Sequence, residues 1–166
     1  MVSNTFSFSV DRDARRVVVT RRFAAPNALV WSAWTEAEYL NRWWGPEPYR
    51  VETKEMDFRV GGRWLYAMVG PEGVVGHSRV NYTSITPVTE FRAHSSFCNA
   101  DGEAAPGWSG SEWQVRFTPE NDATQVDIRI NYSDLAVLEK VLEMGFREGF
   151  TQGLNQLEDL LAKQQA

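Results

Sequence analysis

The stretch from Asp134 to about Lys163 constrains the fold more than any other. Leu135, Leu138, Val141, Leu142, Phe146, Phe150, Leu154, Leu157, Leu160 and Leu161 recur there at helical spacing. They fill one broad arc of a helical wheel, which predicts one long amphipathic helix with Asp134 as its N-cap. Within the arc sit Gly145, Gly149 and Gly153, four residues apart. Each costs roughly 1 kcal/mol against alanine in a helix interior, so the row costs about 3 kcal/mol. Either a neighbouring layer approaches the helix backbone closely there, or the glycines leave room for a ligand. In a bilayer the same spacing would pair helices, but Glu143, Arg147, Glu148, Glu158 and Asp159 exclude a spanning segment.

A helix with one wide apolar face needs another layer to cover it, and the rest of the chain supplies strands. Phe6, Phe8 and Val10 alternate with serines, as in an edge strand or an ordered N-terminal arm over residues 1–14. Residues 15 to 23 are rich in β-branched side chains and form the first full strand. Two short helices follow near 27–34 and 36–43. Val30, Trp31 and Trp34 form the stripe of the first, and Thr35 with Glu38 makes a capping box for the second. Trp43-Trp44-Gly45-Pro46 ends the pair; one tryptophan anchors it in the core and the other lines an opening. Strands are expected near 49–58, 62–70, 74–85, 88–97, 111–118 and 124–132, joined by short turns and therefore antiparallel. Residues 15–163 thus form a single α+β domain, with the long helix covering one face of the sheet.

Hairpin registers sort the two faces. Pairing Ile85 with Val88 puts Arg79 opposite His94, so His77, Arg79, Asn81, Thr83, Arg92, His94 and Ser96 share a polar outer face. Ser78, Val80, Tyr82, Phe91, Ala93, Ser95 and Phe97 then point inward. Pairing Val69 with Val75 adds Trp64, Tyr66 and Met68 to them. By alternation Trp113, Val115, Phe117, Val126, Ile128 and Ile130 follow. The inner face is aromatic at one end and small in the middle, at Ser78, Ala93 and Ser95.

The net charge of -5 argues against a broad nucleic-acid surface. Cys98 is the one cysteine, so no internal disulfide forms and a reducing, cytoplasmic setting is expected. The N-terminus lacks the apolar segment of a signal peptide, and no apolar run is long enough to cross a membrane. No phosphate loop, nucleophile elbow or Cys/His ligand spacing occurs, so no catalytic residue, metal or cofactor is assigned. His77 and His94 fall on the outer face as solvated residues, and Cys98 reads as an inert thiol. Asp57 and Arg59 precede Gly61-Gly62 as a structural corner, where Arg63 could instead hold an anionic ligand. Residues 98 to 110 make a long loop in which Trp108 either packs or closes the mouth of a cavity.

The following residues carry a resemblance. They are Arg22-Phe23-Ala24-Ala25-Pro26, Val30-Trp31, Ala33-Trp34-Thr35, Tyr39-Leu40 and Trp43-Trp44-Gly45-Pro46. Asp57-Phe58-Arg59-Val60-Gly61-Gly62, Ile85-Thr86-Pro87, Gly145-Phe146, Gly149-Phe150, Gly153-Leu154 and Leu157 complete the set. From about Arg15 to Leu161 the sequence resembles the activator of heat-shock protein 90 ATPase homologue (AHSA-type) family of the START-like, or SRPBCC, superfamily. That resemblance implies a helix-grip fold: a curved seven-stranded antiparallel sheet wrapped around a long C-terminal helix, with two short helices after the first strand. It also implies a cavity between sheet and helix for a small hydrophobic or aromatic ligand, and it tips the glycine row toward cavity space. The expected lining is Trp44, Trp64, Tyr66, Val80, Tyr82, Phe91, Phe97, Trp113, Gly145, Phe146, Gly149 and Phe150. An enzyme of the polyketide cyclase/aromatase or hydrolase type is an alternative; it would need an acid or base inside, as if a one-residue register shift turned His77, Arg79 and His94 inward. A co-chaperone that stimulates the heat-shock protein 90 ATPase is another. Because the family's eukaryotic activators carry an additional N-terminal domain and about 14 residues precede the match, a chaperone partner is not expected. A homodimer through a sheet edge is left open.

Overall fold

Alternating side chains become an eight-stranded antiparallel sheet in the computed structural model, which describes residues 5–166. The elements in chain order are β1 (Phe6–Asp11), β2 (Arg16–Phe23), α1 (Asn27–Thr35), α2 (Ala37–Trp43), β3 (Arg50–Met56) and β4 (Arg63–Gly70). Then come β5 (Gly73–Thr86), β6 (Glu90–Cys98), β7 (Ser111–Glu120), β8 (Ala123–Tyr132), α3 (Leu135–Glu143) and α4 (Phe146–Gln164). Across the sheet the order is β1-β2-β8-β7-β6-β5-β4-β3. The C-terminal helix lies on one face, which is the helix-grip arrangement. The sheet has eight strands where seven were expected. Phe6 to Asp11 pair residue for residue with Arg21 to Arg16, so this segment is a full edge strand.

The inner face is the one expected, although one register is not. In the β5–β6 ladder Arg79 lies opposite Ser96, and Asn81 opposite His94. Ile85 pairs with Phe91 rather than Val88, and an irregularity falls between Tyr82 and Ser84. The true register differs from the expected one by two residues along the main ladder. A two-residue slip leaves every side chain on its own face, whereas a one-residue slip would invert them all. In the β4–β5 ladder Trp64, Tyr66 and Met68 meet Val80, Ser78 and Gly76 as expected, and a bulge shifts only the tip, where Val69 meets Val74. The outer face is less open than its polarity suggests. Ser96 and Cys98 are buried there. Residues 99–105 fold back over this end, with Arg79 Nη1 donating to the carbonyl of Gly102 at 2.7 Å.

The expected single C-terminal helix is two helices. Asp134 caps α3 as read from the sequence, its Oδ1 accepting from the Ala136 N–H at 2.8 Å. α3 ends at Met144, and Gly145 has φ +91, a left-handed conformation that ends a helix. Gly145 is thus a break, not a helix-interior residue. A Cβ on Gly149 would sit 3.6 Å from Pro46 Cγ, an ordinary contact, and one on Gly153 would sit 3.3 Å from the Trp43 carbonyl oxygen. Gly149 and Gly153 therefore face residues 43–46. The capping box at Thr35 does not form either. Thr35 is still inside α1, where its hydroxyl donates to the Trp31 carbonyl at 2.8 Å, and Glu36 takes the cap position of α2.

Leu154, Leu157 and Leu161 of α4 meet Val17, Val19, Ile128 and Ile130 in one core cluster. Leu154 and Leu157 are fully buried, each worth about 1.5–3 kcal/mol in transfer terms. The segment between α2 and β3 is tied across α4 by two glutamines. Gln156 Nε2 donates to the carbonyls of Trp43 at 3.1 Å and Gly45 at 2.8 Å, while its Oε1 accepts from the Glu47 N–H at 2.9 Å. Gln152 Nε2 donates to the Glu47 carbonyl at 3.0 Å.

The three glycines should respond differently to alanine. Gly149→Ala is expected to raise unfolding free energy by about 0.5–1 kcal/mol, since the helix gains and the new methyl fits. Gly145→Ala should lower it by about 1–2 kcal/mol, since alanine disfavours the left-handed conformation. Urea denaturation of the two variants checks the pair; equal effects of the same sign would contradict the break at Gly145.

Candidate functional site

The inner-face aromatics of β4 to β7 and the indoles of α1 and α2 meet between sheet and helices around one small cavity, of about 30 Å³. Its walls are Trp34 of α1, Leu40 of α2, Trp44, Trp64 of β4, Tyr82 of β5, Phe91 of β6 and Trp113 of β7. Its floor is the small part of the sheet, Ala93 and Ser95 with Val80 and Val115 beside them. Small residues in the middle of a sheet otherwise walled by rings leave a gap because no neighbour reaches across. About 10–15 Å³ suffices for one water molecule, so the space holds about two. Benzene is known to fill an engineered cavity of roughly 150 Å³. A ring-sized guest would therefore need side chains to move. Trp44, Trp113 and Ser95 are only half-buried, so they are the least covered part of the lining.

Ring geometry shows how the walls are held. Trp44 is the hub: its ring centroid lies 5.6 Å from Trp64, 5.9 Å from Trp113, 6.0 Å from Trp34 and 6.0 Å from Phe150. Its Nε1 donates to Tyr66 Oη at 2.8 Å, and Trp64, stacked on Tyr66 at 4.2 Å, donates to Thr53 Oγ1 at 3.0 Å. Trp113 Nε1 donates to Ser111 Oγ at 3.0 Å. Trp43 is the core anchor, fully buried, with its Nε1 on the Ala33 carbonyl at 2.8 Å. The two adjacent tryptophans thus divide as expected, Trp43 into the core and Trp44 onto the cavity.

Of the expected lining, Trp44, Trp64, Val80, Tyr82, Phe91 and Trp113 border the cavity. Tyr66 stands one layer back, behind Trp64 and Trp44. Phe146 and Phe150 stack on each other at 5.3 Å and press edge-on against Trp113, supporting the wall from the α4 side. Phe97 lies further out, with its ring centroid 4.7 Å from Trp108. Trp108 in turn carries Lys140 Nζ over its ring at 5.2 Å, so it packs between the loop and α3. Gly145 and Gly149 lie at the helix break and against Pro46, away from the cavity. Trp34 and Leu40 border it and were not in the expected lining. The first was visible only as part of the α1 stripe, whose facing partner a sequence does not reveal.

Electrostatics in the cavity is that of neutral groups. Burial raises the Tyr66 hydroxyl above the ordinary tyrosine range, against smaller lowering by hydrogen bonds with Trp44 and Ser78. Burial does the same to Tyr82, with Tyr66 nearby adding to it. Both histidines stay on the outer face, where His94 Nδ1 sits 2.5 Å from Glu112 Oε1 and His77 lies opposite Cys98. Burial raises the Cys98 thiol more than the Arg79 and Arg63 charges lower it. At the corner, Arg59 Nε meets Asp57 Oδ2 at 2.8 Å, and Arg63 pairs with Glu55 at 3.2 Å rather than standing open for an anion. Among the described residues no group of three or more His, Cys, Asp and Glu is placed to hold a metal ion, and no helix is long and apolar enough to cross a membrane.

The family profile described as "Activator of Hsp90 ATPase homolog 1-like protein" matches residues 24–162. No curated protein matches the chain. Among solved structures, protein Ms6760 from Mycobacterium smegmatis is similar at 26% identity and TM-score 0.87, covering 95% of this chain and 97% of its own. A protein from Arthrobacter aurescens is similar at 25% identity and TM-score 0.89, over 95% and 91% of the two chains. A Rhodobacter sphaeroides protein at 16% identity keeps the fold, with TM-score 0.82 over 96% and 99%.

The buried tyrosines have a measurable consequence. The folded protein holds the protons of Tyr66, Tyr82 and Tyr132 beyond the pH at which an unfolded chain releases them. Stability from this source is fully present below about pH 10 and falls above it, by about 1.4 kcal/mol per pH unit for each such tyrosine. In a spectrophotometric titration, Tyr66, Tyr82 and Tyr132 should ionise only above the ordinary tyrosine range while the protein stays folded. Phenolates of Tyr66, Tyr82 and Tyr132 appearing near pH 10 in folded protein would contradict their burial.

Proposed function

The chain belongs to the family of Activator of Hsp90 ATPase homolog 1-like proteins, and we propose that it binds a small hydrophobic or aromatic molecule between sheet and C-terminal helix. One observation carries this reading: an otherwise close-packed interior has a gap walled by aromatic rings and floored by Ala93 and Ser95. Protein cores pack at crystal-like density, and a void beside large rings forfeits contact energy that a leucine in place of Ser95 would recover. A guest recovers it instead. Ring faces and indole edges suit an apolar or aromatic guest. Seating a whole ring requires Trp44 and Trp113, the half-buried members of the wall, to swing aside.

Among the described residues no carboxylate or imidazole borders the cavity. The reading therefore assigns binding rather than acid–base chemistry, and the chaperone activity in the family's description finds no separate support here. If two copies pair, we place the contact at β1. Phe6 to Val10 carry no charge, proline or bulge, whereas the other edge, β3, is charged and irregular between Thr53 and Glu55.

Tryptophan fluorescence during titration with toluene, indole and naphthalene tests the binding reading. At least one should bind saturably, and Ser95→Leu, which fills the floor, should weaken it about tenfold or more while the thermal midpoint stays within a few degrees. Absence of saturable binding by all three, or equal binding by the variant, would contradict it.

A further inference from the structure

Three serines stand on the inner face of neighbouring strands, Ser78 of β5, Ser95 of β6 and Ser111 of β7, and they differ in one respect. Ser78 hydrogen-bonds with the Tyr66 hydroxyl. Ser111 Oγ accepts from Trp113 Nε1 at 3.0 Å, and Ser111 also bonds with the Tyr132 hydroxyl. The Ser95 hydroxyl has no hydrogen-bond partner among the described residues. Its facing neighbours are Val80, which carries no polar side-chain atom, and Ser111, which is already engaged. Ser95 is half-buried and lines the cavity. The Trp34 Nε1 is closed off by its neighbours and meets no guest, whereas the Ser95 oxygen is not sealed in this way.

We propose that Ser95 is the polar anchor of the cavity, its hydroxyl sharing a hydrogen bond with a hydroxyl or carbonyl oxygen on a neutral aromatic ligand. This rests on the binding reading above and names the ligand's chemical class. The other polar groups of the wall are committed. Trp44 donates to Tyr66 Oη, Trp64 to Thr53 Oγ1, and the Tyr82 hydroxyl to Met56 Sδ at 3.9 Å. A serine hydroxyl both donates and accepts, so it suits a phenol, an alcohol or a ketone equally. A purely apolar guest strips water from that hydroxyl and returns nothing, which disfavours it. A site that pairs a ligand's hydroxyl rejects the analogue lacking it for the same reason, since its own polar group is left bare. An ion fares worse still. Among the described residues no charged side chain borders the cavity, so a carboxylate or phosphate would lose its hydration for a single hydroxyl. The aromatic walls select the ring, and Ser95 selects one neutral oxygen on it.

Phenol and toluene have nearly the same shape and differ by a hydroxyl against a methyl group. Calorimetric titration of the whole chain with each, in the wild-type protein and in Ser95→Ala, separates this proposal from the broader reading. The phenol-to-toluene affinity ratio should fall about fivefold or more in the variant, with the loss on the phenol side. Comparing ratios cancels the different hydrophobicity of the two probes and any change in cavity volume. In wild-type crystals soaked with phenol, the phenol oxygen should lie within hydrogen-bond reach of Ser95 Oγ. A ratio that Ser95→Ala leaves unchanged, toluene binding alone, or phenol seated with its oxygen away from Ser95 would overturn the anchor and leave the binding reading standing. Failure of both probes to bind the wild-type protein would overturn the anchor and the binding reading together. The wild-type crystal decides the matter even where Ser95→Ala does not fold.

Discussion

Two glutamines of α4 hold the cavity wall in position. Gln156 and Gln152 satisfy the backbone of residues 43–47 as it crosses the helix, and Gly153 lets that backbone come to van der Waals range. The crossing brings Trp43 down into the core and turns Trp44 onto the cavity. Without these bonds, the carbonyls of Trp43 and Gly45 would lie against a helix with no donor, at about 1–3 kcal/mol for each buried group. Trp44 then organises the rest, because Trp34, Trp64, Trp113 and Phe150 all pack against its ring.

Much of this is legible in the residues themselves. Period-two alternation places the inner aromatics correctly even where the β5–β6 turn is misjudged, because the error is two residues and faces repeat every two. The break at Gly145 is not legible in the same way. An apolar arc that continues through a glycine looks like one helix, and only the left-handed backbone separates α3 from α4. The glycine row misleads for a related reason. Spacing says that something comes close, but not whether it is a ligand or residues 43–46. Gln152 and Gln156 are also hidden, since a glutamine on a helix looks solvated until the segment that crosses it is known.

Cavity size lies beyond what sequence can state, because it is the small remainder after large side chains have filled a large space. The same aromatic inventory would suit a wide pocket or a filled core. Here it yields a narrow gap. Trp44 and Trp113 are the least buried rings of the wall, while Trp64, Tyr82 and Phe91 are buried. The proposed ligand is accordingly small, and its binding is coupled to rotation of those two indoles.

The central claim is that the gap beneath Trp44 is real, apolar and open to a guest. Crystals pressurised with xenon test this most directly, since dry apolar cavities take up the gas. The account predicts a xenon atom among Trp44, Val80, Ala93 and Trp113. Crystals that show no xenon there, with the rings closed over the small residues of β6, would contradict it.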